Sequence, residues 1–302
     1  MAWQAQIAEA AARIAPYVRR TPVLRAQIAG QDVALKLEQM QHTGSFKARG
    51  AFNTLLQADV PEAGIVAASG GNHGAAVAYA AARLGHKARI YVPQIAGPAK
   101  IALIRAQGAD LQVVPGAYAE AAARAVEWRE ATGAIEVHPY DAEPTVAGQG
   151  TVLAEWEDQG CEADTVLIAV GGGGLIAGAL GWLAGRRRVV AVEPETSCAL
   201  NAALHAGTPV DVEVSGVAAN ALGARRIGRI CFDLAQGIES VLVPDAAITQ
   251  AQAMLWREMR QLVEPAGATA LAALLSGAYR PERGERVAVL VCGGNVAPDP
   301  LG

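Results

Sequence analysis

The stretch Thr165-Val-Leu-Ile-Ala-Val-Gly-Gly-Gly-Gly-Leu-Ile-Ala-Gly-Ala-Leu-Gly-Trp-Leu183 joins an apolar run to a glycine run and a second apolar run. Residues 165–170 have the length and the branched side chains of a buried strand, and residues 176–183 have the composition of a buried helix. A strand that passes through glycines into a helix is the repeating unit of open α/β sheets. The glycines also make this stretch a poor candidate for a membrane span.

The same alternation of strand and helix extends in both directions along the chain. Strands are predicted at residues 33–37, 64–68, 88–92, 110–114, 165–170, 188–192, 240–243 and 286–291. Helices are predicted at residues 75–84, 118–132, 176–183, 246–262 and 268–276. The fold class is therefore α/β, with mostly parallel strands in one wide sheet or in two.

Composition excludes several classes of protein. The 302 residues are 52% hydrophobic and 18% charged, which is enough for a large core. A net charge of −4 and a pI of about 5.8 do not favour nucleic acid or a membrane surface as a partner. The four cysteines form no CxxC pair, and the first twelve residues show no signal peptide, so a reduced, cytoplasmic setting is expected.

Three glycine-rich loops each follow a predicted strand, where open α/β sheets bind their ligands. They are Ser69-Gly-Gly-Asn-His-Gly74, Gly171-Gly-Gly-Gly174 and Cys292-Gly-Gly-Asn295. The first offers Ser69, Asn72 and His73 as polar side chains at the start of a helix, where an anion is favoured. The second lets the backbone wrap closely around a phosphate.

The second loop has a competing interpretation. Gly172-x-Gly174-x-x-Ala177 fits a relaxed dinucleotide fingerprint, and Glu193 stands where a ribose-binding acid is expected. An NAD-dependent oxidoreductase therefore remains an alternative from this segment alone.

Lys47 lies in Gln41-His-Thr-Gly-Ser-Phe-Lys-Ala-Arg-Gly50 and is one of four lysines, of which Lys100 is expected on a polar helix face. Ser45 is a suitable N-cap, so Lys47 is predicted in the first turn of a helix. The positive end of the helix dipole disfavours a second positive charge there, and a lysine with a lowered pKa is a usable nucleophile toward a carbonyl. With the glycine loops, such a lysine suits pyridoxal phosphate carrying an amino acid, whereas a dinucleotide explains only the second loop.

Seven stretches, in this order, resemble the β-family (fold type II) pyridoxal-phosphate enzymes, specifically the serine/threonine dehydratases and the related serine racemases. They are Thr21-Pro22, Gly44-Ser-Phe-Lys-Ala-Arg-Gly50, Ser69–Gly74, Pro98-x-Lys100, Gly171–Leu175, Glu264-Pro-Ala-Gly-Ala268 and Cys292–Asn295, and they cover nearly the whole chain. The resemblance implies two open, twisted, mostly parallel sheets flanked by helices. It also implies a homodimer, a large cofactor-binding domain (residues 1–57 and 145–302) and a small mobile domain (residues 58–144).

The resemblance also implies roles for individual residues. Lys47 would link covalently to pyridoxal 5'-phosphate, Phe46 would lie against the pyridine ring and Cys292 would face the pyridine nitrogen. The cofactor phosphate would be bound by backbone N–H groups of Gly171, Gly172, Gly173, Gly174 and Leu175. Asn72 would reach the cofactor's 3-hydroxyl group, and the substrate carboxylate would be bound by Ser69, Asn72 and His73.

The implied reaction is β-elimination from a β-hydroxy amino acid such as L-threonine or L-serine, giving a 2-oxo acid and ammonia, with Lys47 as the base at the α-carbon. A thiol at Cys292 does not hold a protonated pyridine as a carboxylate would, which favours prompt loss of a β-leaving group. An amino-acid racemase or a β-replacement synthase on the same fold is the alternative. Threonine, serine, 3-hydroxyaspartate and phenylserine are not distinguished.

Some positions depart from the family pattern or leave its roles open. Racemases carry a second serine where this chain has Gly70, so little racemase activity is expected. Metal-activated members pair a glutamate with a carboxylate six residues further on. In this chain Glu193 matches the glutamate, but the residue six positions later is Ala199, so Glu193 is only a weak metal candidate. Glu264 could orient the substrate hydroxyl or cap the helix that begins at Pro265. The chain stops ten residues after Cys292, so no regulatory domain is expected there.

Overall fold

The computed structural model describes residues 2–116 and 118–296. Its strands are Val23–Ile28 (β1), Gln31–Leu37 (β2), Ile65–Ala68 (β3), Ala88–Pro93 (β4), Asp110–Val114 (β5), Ile135–Glu136 (β6), Thr165–Ala169 (β7), Arg188–Pro194 (β8), Glu239–Val243 (β9) and Val287–Val291 (β10). Its α-helices are Ala2–Ile14 (α1), Lys47–Gln57 (α2), Asn72–Leu84 (α3), Pro98–Arg105 (α4), Tyr118–Thr132 (α5), Glu143–Asp158 (α6), Gly174–Leu183 (α7), Ala199–Ala206 (α8), Ala219–Leu222 (α9), Arg229–Leu234 (α10), Asp245–Met259 (α11) and Pro265–Ser276 (α12).

The strands form two separate sheets. The larger one has the order β1-β2-β10-β7-β8-β9, and the smaller one has the order β5-β4-β3-β6. All neighbouring strands are parallel except the β1–β2 pair. The prediction of two open, mostly parallel sheets flanked by helices is therefore confirmed.

Burial explains why the parallel strands read as continuous apolar runs. Every residue of β3, β7 and β10 is buried, because helices cover both faces of a parallel sheet. The largest core cluster surrounds β7, β8 and β10, and a second one lies between α2, α3 and the smaller sheet. Among the described residues, no helix combines the length and the apolar character that crossing a membrane requires.

Two strands were not predicted, and each has a local reason. β1 is the antiparallel partner of β2 in a hairpin whose turn residues, Ala29 and Gly30, both have positive φ (52° and 78°). This turn conformation matches the twist of a hairpin, but Ala29 gives no sequence signal for it. β6 has only two residues, which is too short for a periodic pattern.

The order of strands in the larger sheet determines where its loops meet. β2, β10 and β7 are adjacent and parallel, so the loops after them leave the same edge of the sheet. Those loops carry Lys47, Cys292 and the run Gly171–Gly174. The architecture thus brings together segments that are far apart in the sequence, at the edge where open α/β sheets bind ligands.

Candidate active site

Lys47 is the first residue of α2 and is half-buried. Its Nζ donates to the carbonyl oxygen of Pro139 at 2.7 Å and lies 5.2 Å from the centre of the Phe46 ring. The predicted position in the first turn is correct, but the predicted cap is wrong. The Ser45 hydroxyl makes no hydrogen bond among the described residues, because Ser45 is extended and pairs with Gly293 as a β-bridge.

The electrostatic surroundings of Lys47 favour the neutral amine. Burial lowers its pKa from the usual 10.5 to about 8, and the neighbouring Cys292 opposes this only in part. Phe46, which is buried, contributes to the apolar surroundings and donates its backbone N–H to the carbonyl oxygen of Cys292 at 3.2 Å. An amine with this pKa is available as a nucleophile and as a base near neutral pH.

The loop Gly171–Gly174 joins β7 to the start of α7. Gly173 has φ +94°, a conformation that favours glycine, and the first turn of α7 has no side-chain cap. A Cβ atom at Gly172 would overlap the ring of Tyr140, and one at Gly174 would lie 2.9 Å from the Tyr140 Cα. The loop therefore has uncapped backbone N–H groups and no room for side chains, as a close phosphate contact requires. The Leu175 side chain is buried, so the group that Leu175 could offer to a phosphate is its backbone N–H.

Asn72, the first residue of α3, is held by two side chains from the other sheet's part of the chain. Its Nδ2 donates to Glu264 Oε1 at 2.5 Å, and its Oδ1 accepts from Asn295 Nδ2 at 2.8 Å. Asn295 Nδ2 also donates to the carbonyl oxygen of Thr43 at 2.7 Å. The Asn72 amide thus has a defined orientation between the loop after β10 and the loop before α12.

Glu264 is buried, and its contacts exclude one of the two roles considered for it. α12 begins at Pro265, yet the Glu264 side chain makes no capping hydrogen bond to it. Its carboxylate lies over Gly293, where any Cβ would overlap it. Burial raises the pKa of Glu264 to about 7, although the Asn72 hydrogen bond and the charge of Lys100 lower it. Of the two alternatives, a side-chain cap of α12 is therefore wrong, and a role toward the substrate hydroxyl stays a prediction.

Ser69 precedes α3 and His73 is its second residue, and both side chains already have partners. His73 is buried and its Nε2 donates to the carbonyl oxygen of Val137 at 2.7 Å. Burial, together with the charge of Lys47, lowers the pKa of His73 to about 3, so the ring is neutral. Ser69 Oγ accepts from the backbone N–H of Gly71 at 3.2 Å. A carboxylate in this loop would therefore meet the hydroxyl of Ser69 and the uncapped N–H groups at the start of α3.

Cys292 directly follows β10 and is buried. Its Sγ donates to the carbonyl oxygen of Ala266 at 3.3 Å, and burial raises the pKa of the thiol. The sulfur therefore stays protonated near Lys47. A neutral thiol is compatible with an unprotonated pyridine nitrogen and does not act as a counter-ion for a protonated one.

Glu193 is the next-to-last residue of β8 and is fully buried, but its carboxylate already has hydrogen-bond partners. Its two carboxylate oxygens accept the backbone N–H groups of Leu200 and Asn201, each at 2.8 Å, at the start of α8. Both carboxylate oxygens that would bind a ribose hydroxyl or a metal ion are therefore already engaged in hydrogen bonds to the backbone. Within residues 2–116 and 118–296, no group of three or more His, Cys, Asp or Glu side chains is arranged to hold a metal ion.

The burial of Lys100 differs from the prediction made for it. It was predicted on a polar helix face, but it is only 6% exposed, within α4. Its burial lowers its pKa, and Glu264 acts in the opposite direction.

Two contributors were not identified from the sequence, namely Pro139, whose carbonyl receives Lys47 Nζ, and Tyr140, whose ring covers Gly172. Both belong to the segment 138–144, which reads as a crossover. The only available signal was the density of polar and aromatic residues beside its prolines.

The residues present fit pyridoxal phosphate. The glycine loop and the first turn of α7 suit the phosphate, Lys47 suits the aldehyde carbon, and the neutral thiol of Cys292 suits the ring nitrogen. The segments that carry these groups begin at the same edge of the larger sheet, beside the loop that precedes α3.

Comparisons with known proteins agree with this fit. The family model described as "Pyridoxal-phosphate dependent enzyme" matches residues 14–293. A phenylserine dehydratase of Ralstonia pickettii is 37% identical over 301 residues, covering 96% of this chain and 92% of that protein.

Solved structures give the same result. The structure of maize serine racemase aligns with a TM-score of 0.93 at 32% identity, over 99% of this chain and 95% of that one. The crystal structure of a T.th. threonine deaminase aligns with a TM-score of 0.89 at 36% identity, over 98% of this chain and 99% of that one. The predictions of the family and of the cofactor are confirmed: this chain belongs to the pyridoxal-phosphate dependent enzymes.

Proposed function

We propose that this chain is an ammonia-lyase that removes the β-hydroxyl group and the amino group of a β-hydroxy amino acid, such as L-threonine or L-serine, to give a 2-oxo acid and ammonia. The observation that carries the proposal is Lys47, an amine with a lowered pKa at the edge of the larger sheet from which the loop Gly171–Gly174 also leaves. Relatives named as a phenylserine dehydratase and a threonine deaminase support elimination from this class of substrate.

When bound, the cofactor supplies an aldehyde for the Lys47 amine and a conjugated ring that withdraws electrons from the substrate's α-carbon. Gly171 to Gly174 and Leu175 would hold its phosphate through backbone N–H groups. Phe46 would pack against the ring, Cys292 would contact the ring nitrogen, and Asn72 would donate to the 3-hydroxyl oxygen.

The chain's own groups then handle the substrate. The Ser69 hydroxyl and the N–H groups of Asn72 and His73 would bind the carboxylate, which fixes the α-carbon relative to Lys47. The Lys47 amine, once free, removes the α-proton, and a pKa of about 8 leaves it partly unprotonated near neutral pH. Loss of that proton allows the β-hydroxyl group to leave.

The packing of Gly70 argues against a racemase, which needs a base on each face of the α-carbon. A Cβ atom at Gly70 would lie 2.5 Å from the Cβ of Ala96 and 3.3 Å from the Cδ of Pro93. A side chain here would be directed against the segment 93–96. Position 70 therefore offers neither a proton acceptor nor the space for one.

We also propose that residues 58–144 form a small mobile domain and that residues 1–57 and 145–302 form the large cofactor-binding domain. The smaller sheet lies wholly within the first of these segments. Asn72 and Glu264 form a hydrogen bond between the two parts at the site. A cytoplasmic homodimer is the proposed state of the enzyme.

Borohydride reduction and substrate profiling test the proposal directly. Reduction of the holoenzyme followed by peptide mapping should place the cofactor label on Lys47. Ammonia release should then be compared for threonine, serine, 3-hydroxyaspartate and phenylserine in both configurations. Absence of the label from Lys47, or no ammonia from any of the four, would contradict the proposed function.

A further inference from the structure

The conformation of the loop Gly171–Gly174 depends on its neighbours, because four consecutive glycines have no side chains that could restrict it. Two elements contact the loop. The first is Tyr140, whose ring covers Gly172 and whose backbone approaches Gly174. The second is the start of α10. A phosphate is bound by several backbone N–H groups that point at it together, so the placement of these two elements affects binding.

The start of α10 contacts the loop through its backbone and through its side chains. The backbone N–H of Gly228 donates to the carbonyl oxygen of Gly172 at 3.1 Å. A Cβ atom at Gly173 would lie 2.5 Å from the Cys231 Sγ and 2.8 Å from the Ile227 Cδ1, so both side chains pack directly on that glycine. A displacement of α10 would therefore change the loop as well.

Asp141 holds this end of α10 in place. The helix begins after Gly228, which has no side chain that could cap it. The backbone N–H of Arg229 donates instead to Asp141 Oδ2 at 3.0 Å, and that of Ile230 donates to Asp141 Oδ1 at 2.9 Å. Asp141 thus supplies the cap from a segment that lies 88 residues before Arg229 in the chain.

The turn that carries Asp141 is fixed by His138. The His138 Nδ1 accepts the backbone N–H groups of Tyr140 at 3.3 Å and of Asp141 at 2.8 Å. The carbonyl oxygen of His138 accepts the Thr145 hydroxyl at 3.0 Å. Tyr140, which covers the loop, and Asp141, which holds α10, therefore belong to one ordered turn. A change at Asp141 should release α10 while this turn keeps its shape.

We propose that Asp141 is a positioning residue for the phosphate of the cofactor. It holds the start of α10 against the loop Gly171–Gly174 and thereby keeps the loop in the conformation that binds a phosphate. The proposal rests on the phosphate-binding role that the proposed function gives to this loop. The hydrogen bonds from α10 to Asp141 do not depend on that role.

Cofactor affinity tests the proposal without relying on catalysis. Full-length enzyme freed of cofactor is titrated with pyridoxal 5'-phosphate and, separately, with pyridoxal, which lacks the phosphate, and binding is followed by absorbance. Asp141→Ala should raise the Kd for pyridoxal 5'-phosphate about tenfold, because α10 loses its cap. The Kd for pyridoxal should change by less than about twofold, since pyridoxal does not use the loop. Asp141→Asn keeps one acceptor oxygen and should give an intermediate Kd for pyridoxal 5'-phosphate.

Asp233→Ala is the matched control. Asp233 is an exposed carboxylate in α10 that accepts the Arg229 side chain at 2.9 Å and not a backbone N–H. Its replacement removes the same charge from the same helix, so both Kd values should equal those of the original chain. Hydrogen exchange at the backbone N–H groups of Arg229 and Ile230 gives a second measurement. It should be faster in Asp141→Ala and unchanged in Asp233→Ala.

Three outcomes for Asp141→Ala would overturn the proposal. Unchanged Kd values would show that the loop keeps its conformation without Asp141. An equal rise for pyridoxal and for pyridoxal 5'-phosphate would show that Asp141 supports the whole site and not the phosphate loop. Tighter binding of pyridoxal 5'-phosphate would show that the carboxylate acts on the phosphate by repulsion. Should Asp141→Ala fail to fold, the ratio of the two Kd values in Asp141→Asn decides in the same way.

Failure of the proposed function is distinguishable from these outcomes. If no substrate releases ammonia, the proposed reaction fails, yet the two Kd values still decide whether Asp141 positions the phosphate loop. If the original chain binds pyridoxal as tightly as pyridoxal 5'-phosphate, the loop does not bind the phosphate, and the proposal for Asp141 falls with that role.

Discussion

Lys36 and Lys47 are both withdrawn from solvent, yet their surroundings differ completely. Lys36, in β2, donates to the carbonyl oxygen of Thr21 at 2.9 Å, to Glu155 Oε1 at 2.5 Å and to Gln159 Oε1 at 2.7 Å. Lys47 has the carbonyl oxygen of Pro139 as its hydrogen-bond partner. Within the described part of the chain, the first amine has partners for all three of its donors and the second has a partner for one.

The wider surroundings repeat this contrast. Lys36 belongs to a buried ion cluster that also contains Glu38, Arg49 and Glu155. Arg49 forms two hydrogen bonds of 2.8 Å with Glu38 and one of 3.0 Å with Glu155. Two cations therefore face two anions, and Thr21 and Gln159 satisfy the remaining donors and acceptors.

The candidate active site contains ionisable groups that are not paired in this way. Burial lowers the pKa of Lys47 to about 8 and raises that of Glu264 to about 7. Buried charges that are fully paired hold elements together, whereas buried charges without partners can change their protonation state during a reaction. Replacing lysine by methionine should therefore reduce activity at position 47 and reduce the stability of the fold at position 36.

Lys47→Met should produce the largest effect on catalysis. Removing the amine eliminates both the covalent link to the cofactor and the base at the α-carbon, so kcat should fall by at least about 10³-fold. Borohydride should no longer attach the cofactor to this position. After cofactor removal from both proteins, urea unfolding should show equal or greater stability for the variant, because a half-buried amine with a single hydrogen bond has been removed. A marked loss of stability would contradict the contrast between the two lysines.

Lys36→Met should act on stability instead. It leaves Glu155 without one of its cations and Gln159 without a donor, so the free energy of unfolding should fall by about 3–5 kcal/mol. Activity per folded molecule should be retained. Urea unfolding, combined with active-site titration, separates the two quantities. A folded variant that has lost its activity would show that the ion cluster takes part in catalysis.

Gly70→Ser tests the position at which racemases of the family carry a second serine. The new Cβ would collide with Ala96, so the variant should lose about 1–3 kcal/mol of stability without gaining racemase activity. The double variant Gly70→Ser with Ala96→Gly should regain part of that stability. Deuterium incorporation into inverted, unreacted serine measures racemisation. Its appearance at a rate near that of elimination would overturn the role assigned to Gly70.

The two regions should also respond to different pH ranges. His73 has a pKa of about 3 in the folded protein against 6.5 ordinarily, so the unfolded chain binds the proton first and stability is lost as pH falls from about 6.5. In the ion cluster, the charges of Arg49 and Lys36 lower the pKa of Glu155. Protonation of Glu155 therefore reduces the stability of the fold only as the pH falls below the usual pKa of 4.5. His73→Gln should remove about 1 kcal/mol per pH unit of acid sensitivity between pH 6.5 and 4.5. Equal slopes for this variant and for the exposed-histidine control His205→Gln would contradict the assignment.

Sequence patterns predicted those parts of the molecule that depend on neighbouring residues. The buried parallel strands read as apolar runs because both of their faces are covered. The glycine loops read as ligand loops because each follows such a strand. Lys47 could be singled out because its turn, its aromatic neighbour and its helix start are adjacent in the chain.

The contacts that complete the site depend on packing between distant segments. Nothing near Asn72 shows that Glu264 accepts its amide hydrogen, and nothing near Lys47 identifies the Pro139 carbonyl as its partner. Ser45 has the composition of a helix cap, but its bridge to Gly293 keeps it extended. Tertiary contacts override local preference at such positions, so sequence patterns alone could not predict them.

The ion cluster has a consequence for how this enzyme can diversify. Arg49 lies within one helical turn of Lys47, and its ties to Glu38 and Glu155 fasten α2 to β2's end and to α6. The helix that carries the Lys47 amine is thereby held in place by contacts that do not involve the residues predicted to bind the substrate. Substitutions at the residues predicted to bind the substrate therefore leave the contacts that hold α2, and with it Lys47, unchanged.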